Sequence, residues 1–128
     1  MIDHTGVCVS DFQVSKKFYT EAFAPIGYTM VMEMPGSNKA SAGAGFGVGG
    51  KPEFWIEGRG MPNDPPIHVA FRVDSRASVD AFYKAAIAAG GRDNGAPGLR
   101  PHYHPNYYGA FVLDPDGQNI EAVCHRPE

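Results

Sequence analysis

The sequence carries one pattern twice, and this repeat constrains the fold more than any other feature. HTGVCVSDFQVSKKFY begins at position 4 and HVAFRVDSRASVDAFY begins at position 68, an offset of 64 residues in a 128-residue chain. A chain of this length buries one ordinary hydrophobic core and is too short for two independent cores. The two copies must therefore share a core, which predicts a single domain over residues 1–128 made of two similar modules.

Hydrophobic periodicity predicts the order strand, helix and three strands in each copy. The predicted strands are residues 2–9, 28–34, 42–50 and 53–58 in the first copy, and 67–73, about 98–103, 109–113 and 118–123 in the second. Ser10 or Asp11 can cap the first helix, and Gly90-Gly91 ends the second. The expected fold class is α+β. Two paired βαβββ modules, about 1–60 and 66–128, form a curled mixed sheet with a metal-binding cup and with the helices outside.

Composition excludes several classes of partner. Hydrophobic residues make up 43% of the chain and charged residues 20%, as in soluble globular proteins. The net charge is −3 without a Lys/Arg cluster, which argues against nucleic acid, and no apolar run approaches the ~20 residues of a membrane span. Two cysteines, Cys8 and Cys124, fit reduced thiols, so we expect a cytoplasmic protein, although a disulfide between them is conceivable.

Four residues that can ligate a metal obey the same offset. His4 and Glu57 are separated by 53 residues, as are His68 and Glu121. The histidines lie on the first predicted strands and the glutamates on the last. If both modules curl alike, the four side chains converge near the axis that relates the modules. Two imidazoles and two carboxylates suit one divalent ion such as Zn²⁺, Ni²⁺, Co²⁺, Mn²⁺ or Fe²⁺.

The alternative is that these residues are structural or solvated. A lone strand histidine is usually structural, and a lone glutamate near a strand end usually faces water. Coincidence of both pairs at one offset favours a metal site, and buried ionisable groups need each other or a metal. Glu57 is the less constrained of the four, because Arg59 between two glycines can draw it towards solvent.

Two further segments carry possible chemistry. GFGVGGKP, from position 45, resembles phosphate-binding loops, but these require a following helix and here a strand follows, so we expect no nucleotide cofactor. The loop from Arg100 to Tyr108 is rich in imidazole and phenol groups, and we expect Arg100, His104, Tyr107 and Tyr108 to line a substrate pocket, with surface packing as the alternative. Arg72 shares its strand face with His68 and can meet an anionic substrate or form a salt bridge.

Four motifs carry a family resemblance: HTGVCVSDFQVSKKFY, WIE, HVAFRV and DPDGQNIEAV. In these motifs the chain resembles the vicinal oxygen chelate superfamily, which includes glyoxalase I, bleomycin-resistance proteins and extradiol dioxygenases. The resemblance covers nearly the whole chain. It implies a cup of paired βαβββ modules around a divalent metal, often in a homodimer. It also implies that the ligands are His4, His68 and Glu121, with Glu57 as the fourth in glyoxalase I. The Gly-rich third strand and the Pro-rich loop depart from glyoxalase I, and no glutathione-binding signature is evident.

Three functions fit these expectations. With four ligands, a small substrate with adjacent oxygens can chelate the metal while Glu57 or Glu121 transfers a proton, as in a glyoxalase I-type lyase or isomerase. With His4, His68 and Glu121 alone, the set is the two-His-one-carboxylate triad of Fe(II) oxygenases, which predicts an extradiol ring-cleaving dioxygenase. The third is a metal-free cup that binds a small molecule or drug, as bleomycin-resistance members of the family do.

Overall fold

The computed structural model describes residues 1–38 and 40–128, and over this part of the chain each half forms a strand, a helix and three strands. The elements are β1 (Thr5–Val9), α1 (Phe12–Phe23), β2 (Thr29–Met34), β3 (Ala42–Val48), β4 (Lys51–Gly58), β5 (His68–Arg72), α2 (Arg76–Ala88), β6 (Arg92–Leu99), β7 (Tyr108–Leu113) and β8 (Asn119–Cys124). The α+β class and the paired βαβββ modules are confirmed. Neither described helix has the length and apolar character needed to cross a membrane.

The modules form two four-stranded sheets, in the orders β1-β4-β3-β2 and β5-β8-β7-β6. In each sheet the first strand pairs in parallel with the last, and the other pairs are antiparallel. The expected continuous sheet is not present among the described residues. Instead, β1 and β5 are edge strands of separate sheets, and the modules join through side chains in a shared core.

One hydrophobic core lies between the two sheets and includes both helices. The helices contact each other, and each covers one face of its own sheet. Aromatic rings join the modules, since Phe71 of β5 lies 4.8 Å from Phe23 of α1 and 5.2 Å from Phe54 of β4, between ring centroids. We call the other face of each sheet its open face. Along β5, buried Phe71 alternates with exposed His68, Ala70 and Arg72, which therefore lie on the open face.

The ends of α1 follow the predicted signals. The Asp11 carboxylate accepts a hydrogen bond from the Val14 backbone N–H at 3.1 Å, which caps the helix. After α1 a short 3₁₀ turn, Ala24–Ile26, contains Pro25, and Gly27 follows with φ 83°, a left-handed conformation that favours glycine. The chain therefore leaves the helix at this turn.

The prediction of a strand at about 98–103 is wrong in its position, because β6 begins at Arg92. The strand includes Pro97, which is tolerated because β6 lies at the edge of its sheet, where Pro97 need not donate to a neighbour. Register shifts on both sides of Gly95 interrupt the pairing with β7. The segment from Arg100 to Tyr107 is consequently the loop that connects β6 to β7.

The turn DPDG, at positions 114–117, joins the two modules. The Tyr19 hydroxyl of α1 donates to the buried Asp114 carboxylate at 2.5 Å, and burial raises the pKa of Asp114. Both the backbone N–H and the hydroxyl of Ser10 donate to Asp116. The motif therefore positions module two on module one. Away from this joint, Cys8 and Cys124 are both free thiols.

Candidate functional site

In module two, His68 and Glu121 lie in direct contact on the open face. His68 Nε2 is 2.8 Å from Glu121 Oε1. The register of the parallel strands places Glu121 beside Ala70, two residues after the histidine and on the same face. The Glu121 side chain is fully buried, whereas the imidazole is about half exposed, with a side-chain accessibility of 49%. We call these two residues the module-two pair.

Tyr107 holds the other oxygen of the same carboxylate. Its hydroxyl donates to Glu121 Oε2, and burial together with this hydrogen bond raises the pKa of Tyr107. Gly109 provides the space, because a Cβ there would lie 3.1 Å from Glu121 Oε2 and 3.2 Å from Tyr107 Cε1. Both oxygens of the buried Glu121 carboxylate therefore have a partner, and its orientation is defined.

In module one, the equivalent His4 and Glu57 line one cavity without touching each other. The cavity has a volume of about 300 Å³, and its wall also includes Met34 and Trp55. His4 Nδ1 lies 2.7 Å from the Asp3 carboxylate. Glu57 Oε2 accepts a hydrogen bond from Arg59 Nε at 2.8 Å. We call His4 and Glu57 the module-one pair; both are solvent-accessible and bonded to sequence neighbours.

A difference in strand register explains why only one pair is in contact. In module one the register partner of Glu57 is Cys8, four residues after His4. If β1 had the register of module two, Gly6 would stand opposite Glu57. The strand is thus displaced by two residues, about 6.6 Å at 3.3 Å per residue. A displacement of two residues keeps His4 on the open face and moves it away from the glutamate.

The single chain does not bring the four predicted ligands together. Within residues 1–38 and 40–128, no group of three or more His, Cys, Asp or Glu side chains could hold a metal ion. The two pairs lie on the open faces of separate sheets, and the shared core is built from the covered faces and the helices. Each pair offers one imidazole and one carboxylate, which suit a divalent ion, but a catalytic site usually takes three protein ligands.

The predicted substrate-binding residues separate into two groups. Tyr107 lies against Glu121, as described, whereas Tyr108 donates to Asp80 of α2 at 2.7 Å and so lies on the helix side of β7. His104 Nε2 lies 2.6 Å from His125 Nδ1, and the His125 ring lies 5.3 Å from the Tyr107 ring. The imidazoles are therefore neighbours of the Tyr107–Glu121 contact.

The two predicted arginines lie on the side of module two that carries the candidate ligands. Arg72 is exposed on the open face of β5 and has no ion pair among the residues that the structure describes. Arg100 contacts the face of Phe111, whose ring is 6.1 Å from the His68 ring. Trp55 in module one and Phe111 in module two were not predicted as site residues. Alternation with Glu57 would have identified Trp55, since residues 55 and 57 share a strand face.

The fold and these residues identify the class of protein. The family model described as Glyoxalase/Bleomycin resistance protein/Dioxygenase superfamily matches residues 1–122. The chain belongs to this superfamily. Among curated proteins, the comparison finds no match.

Solved structures agree with this membership. A glyoxalase/bleomycin resistance protein from Albidiferax ferrireducens is 32% identical, covers 97% of both chains and superposes with a TM-score of 0.71. A glyoxylase/bleomycin resistance protein/dioxygenase domain from Frankia sp. is 18% identical over 98% of both chains, with a TM-score of 0.75. A mutant of glyoxalase I from Zea mays is 20% identical, with a TM-score of 0.72 over 95% of this chain and 46% of that one. The last two show the fold alone.

Proposed function

We propose that the protein is a glyoxalase-like, metal-dependent enzyme that transfers a proton on a small substrate with adjacent oxygens. The observation that carries this proposal is the module-two pair: a fully buried carboxylate held at 2.8 Å by a half-exposed imidazole on an open sheet face. Burial of a carboxylate is costly unless it is bonded or binds a cation. His68 and Glu121 together supply two of the ligands that a divalent metal needs.

A second copy of the chain would supply the remaining ligands. Among the described residues of one chain, the module-one pair and the module-two pair do not form a common group of metal ligands. In a twofold dimer each contact occurs twice, and His4 and Glu57 of one protomer would meet His68 and Glu121 of the other. The dimer would then hold two equivalent sites, each lined by both open faces.

The metal, when bound by these residues, would act as a Lewis acid on a carbonyl oxygen of the substrate and acidify the neighbouring C–H. Glu121 is ordered by His68 and Tyr107, which suits a permanent ligand. Glu57 is nearly half exposed and bonded to the exposed Arg59, so it can move without breaking a buried contact. We assign the proton transfer to Glu57, which would take the proton from one carbon and return it to the next.

Metal binding by mixed variants tests the shared site. In calorimetric titrations of chelator-stripped protein with Zn²⁺ or Ni²⁺, both His4→Ala and His68→Ala should bind at least tenfold more weakly than the parent. When the two variants are unfolded and refolded together in equal amounts, about half of the dimers should contain one copy of each variant. In such a mixed dimer one of the two sites has both histidines, so about a quarter of all sites should again bind metal tightly. Tight binding by His68→Ala would contradict the ligand assignment, and no recovery on mixing would contradict the shared site.

Activity tests the reaction class. Reconstituted protein would be assayed for isomerisation of methylglyoxal–thiol adducts. Glu57→Gln should lower turnover by on the order of 10²-fold, the scale of a lost general base. Glu53→Gln, on the same strand but outside the cavity, is the matched control and should leave turnover unchanged. Unchanged turnover in Glu57→Gln would show that Glu57 is not the general base.

One observation favours a second candidate function, an extradiol dioxygenase. Arg59 contacts the same oxygen of Glu57 through both Nε and Nη2, at 2.8 Å each. If this ion pair persists in the dimer, only His4, His68 and Glu121 remain as ligands, the set typical of Fe(II) oxygenases. Oxygen consumption with Fe(II) and a catechol, undiminished in Glu57→Gln, would support this candidate over the lyase.

A further inference from the structure

A polar cavity of about 330 Å³ lies on the open face of module two, beside the module-two pair. Its wall includes Asn94, Arg100, His102, Phe111 and Asn119. Two of these residues connect it to His68. Asn119 is the register partner of His68 on the adjacent strand, and the Phe111 ring lies 6.1 Å from the imidazole. A molecule in this cavity would therefore lie alongside the candidate metal ligands.

The fold holds the Arg100 guanidinium in one place. Its Nη1 donates to the Gly98 carbonyl at 2.9 Å, and its Nη2 donates to the Ala96 carbonyl at 2.8 Å. Glycines make room for it, since a Cβ would lie 3.2 Å from Nη2 at Gly95 and 3.1 Å from Nη1 at Gly98. The guanidinium also stacks on Phe111, 5.5 Å from the ring centroid. An arginine fixed in this way loses little side-chain entropy when it binds a ligand.

The charge that is fixed there has no counter-charge among the described residues. Among the residues that the structure describes, no carboxylate lies within ion-pair distance of Arg100. A guanidinium has five N–H donors, and the two carbonyls use only some of them. In the same wall, Asn119 Oδ1 is buried and has no hydrogen-bond partner within residues 1–38 and 40–128. The cavity thus combines free cationic donors with a free neutral acceptor.

We infer that this cavity binds the carboxylate of a small hydroxy-acid substrate through Arg100, with Asn119 Oδ1 accepting from a substrate hydroxyl. A planar guanidinium matches a carboxylate by two parallel hydrogen bonds. As a substrate subsite, this inference rests on the proposed function, because the remainder of the molecule would extend towards His68. The binding of a carboxylate in this cavity depends only on Arg100 and not on a metal.

Binding to metal-free protein tests the inference independently of the metal. Binding of 3-hydroxybutyrate would be measured by calorimetry and by NMR shifts of the residue 94–100 amides, with its neutral methyl ester as the comparison. The acid should bind saturably and the ester at least tenfold more weakly. Arg100→Gln should bind the acid at least tenfold more weakly than the parent. Arg100→Lys should have an intermediate affinity, because lysine keeps the positive charge but lacks the planar pair of N–H donors. Arg92→Gln, which removes the same charge from the same strand outside the cavity, should stay within twofold of the parent.

Three results would overturn the inference: equal binding of acid and ester, unchanged affinity in Arg100→Gln, or no saturable binding of the acid by a folded parent. Because Arg100 also bonds two backbone carbonyls, the melting temperature of each variant is measured first. Arg100→Lys serves if Arg100→Gln does not fold. The binding of the acid is measured on metal-free protein, so it does not depend on whether the four candidate ligands bind a metal. The carboxylate site and the proposed metal site can therefore be disproved independently.

Discussion

Removing the hydroxyl of Tyr107 should destabilise the protein far more than removing the hydroxyl of its neighbour Tyr108. Tyr107 is the last residue of the loop and Tyr108 is the first residue of β7, and each hydroxyl donates to a carboxylate. Tyr107 donates to Glu121, which is fully buried, and Tyr108 donates to Asp80, which is exposed. Tyr107→Phe and Tyr108→Phe are thus a matched pair that differ in the burial of the acceptor.

The expected loss of unfolding free energy follows from the carboxylate oxygen that is left without a donor. Tyr107→Phe leaves Glu121 Oε2 buried and without its hydrogen bond, while Oε1 keeps His68. Losing a hydrogen bond to a buried charged group costs about 1.5–3 kcal/mol. At about 4 °C per kcal/mol for a domain of this size, the melting temperature should fall by roughly 6–12 °C. In Tyr108→Phe water replaces the donor, so the loss should stay below about 1 kcal/mol.

Urea unfolding of the metal-free variants, followed by circular dichroism, measures both losses. The m-values should match the parent, since the change removes one oxygen atom. The double variant Tyr107→Phe/Glu121→Gln should lose less than the sum of the two single variants, because the residues interact directly. Equal destabilisation by Tyr107→Phe and Tyr108→Phe would show that Glu121 does not depend on this bond, and the reasoning would be wrong.

Two further variants test the surroundings of this contact and the joint between modules. Gly109→Ala should destabilise by about 1–3 kcal/mol, because its Cβ would lie 3.1 Å from Glu121 Oε2. The control is Gly43→Ala, also in a strand, whose Cβ would have no neighbour closer than 3.7 Å. A loss in urea unfolding no larger than that of Gly43→Ala would contradict the packing. Asp114→Asn should reduce the pH dependence of stability. Burial raises the pKa of Asp114, so the folded state binds the proton more tightly, and this contribution to stability is full below pH 3.8 and is lost as the pH rises through the raised pKa. As the pH rises from about 4 to about 7, the parent should lose stability relative to Asp114→Asn, and an identical slope in both proteins would contradict this prediction.

Much of the fold could be predicted because the repeat and the periodicity are local signals. The alternation in HVAFRV predicted that Arg72 shares a strand face with His68, and both are exposed while Phe71 is buried. Asp11 predicted the start of α1. The position of β6 was missed because a proline is tolerated only at an edge, and whether a strand is an edge is a property of the whole sheet.

The sequence by itself determined the two modules, the four candidate ligands and their placement on one face of each sheet, because strand alternation has a period of two and the offset of 64 residues preserves it. Only the tertiary structure decided that Glu121 is buried between His68 and Tyr107, while Glu57 is drawn to Arg59. A register displaced by two residues leaves the facial pattern unchanged, so no sequence pattern reports it. The direction of the open faces likewise depends on how the helices and aromatic side chains of the two modules pack into one core, a contact between residues far apart in the chain.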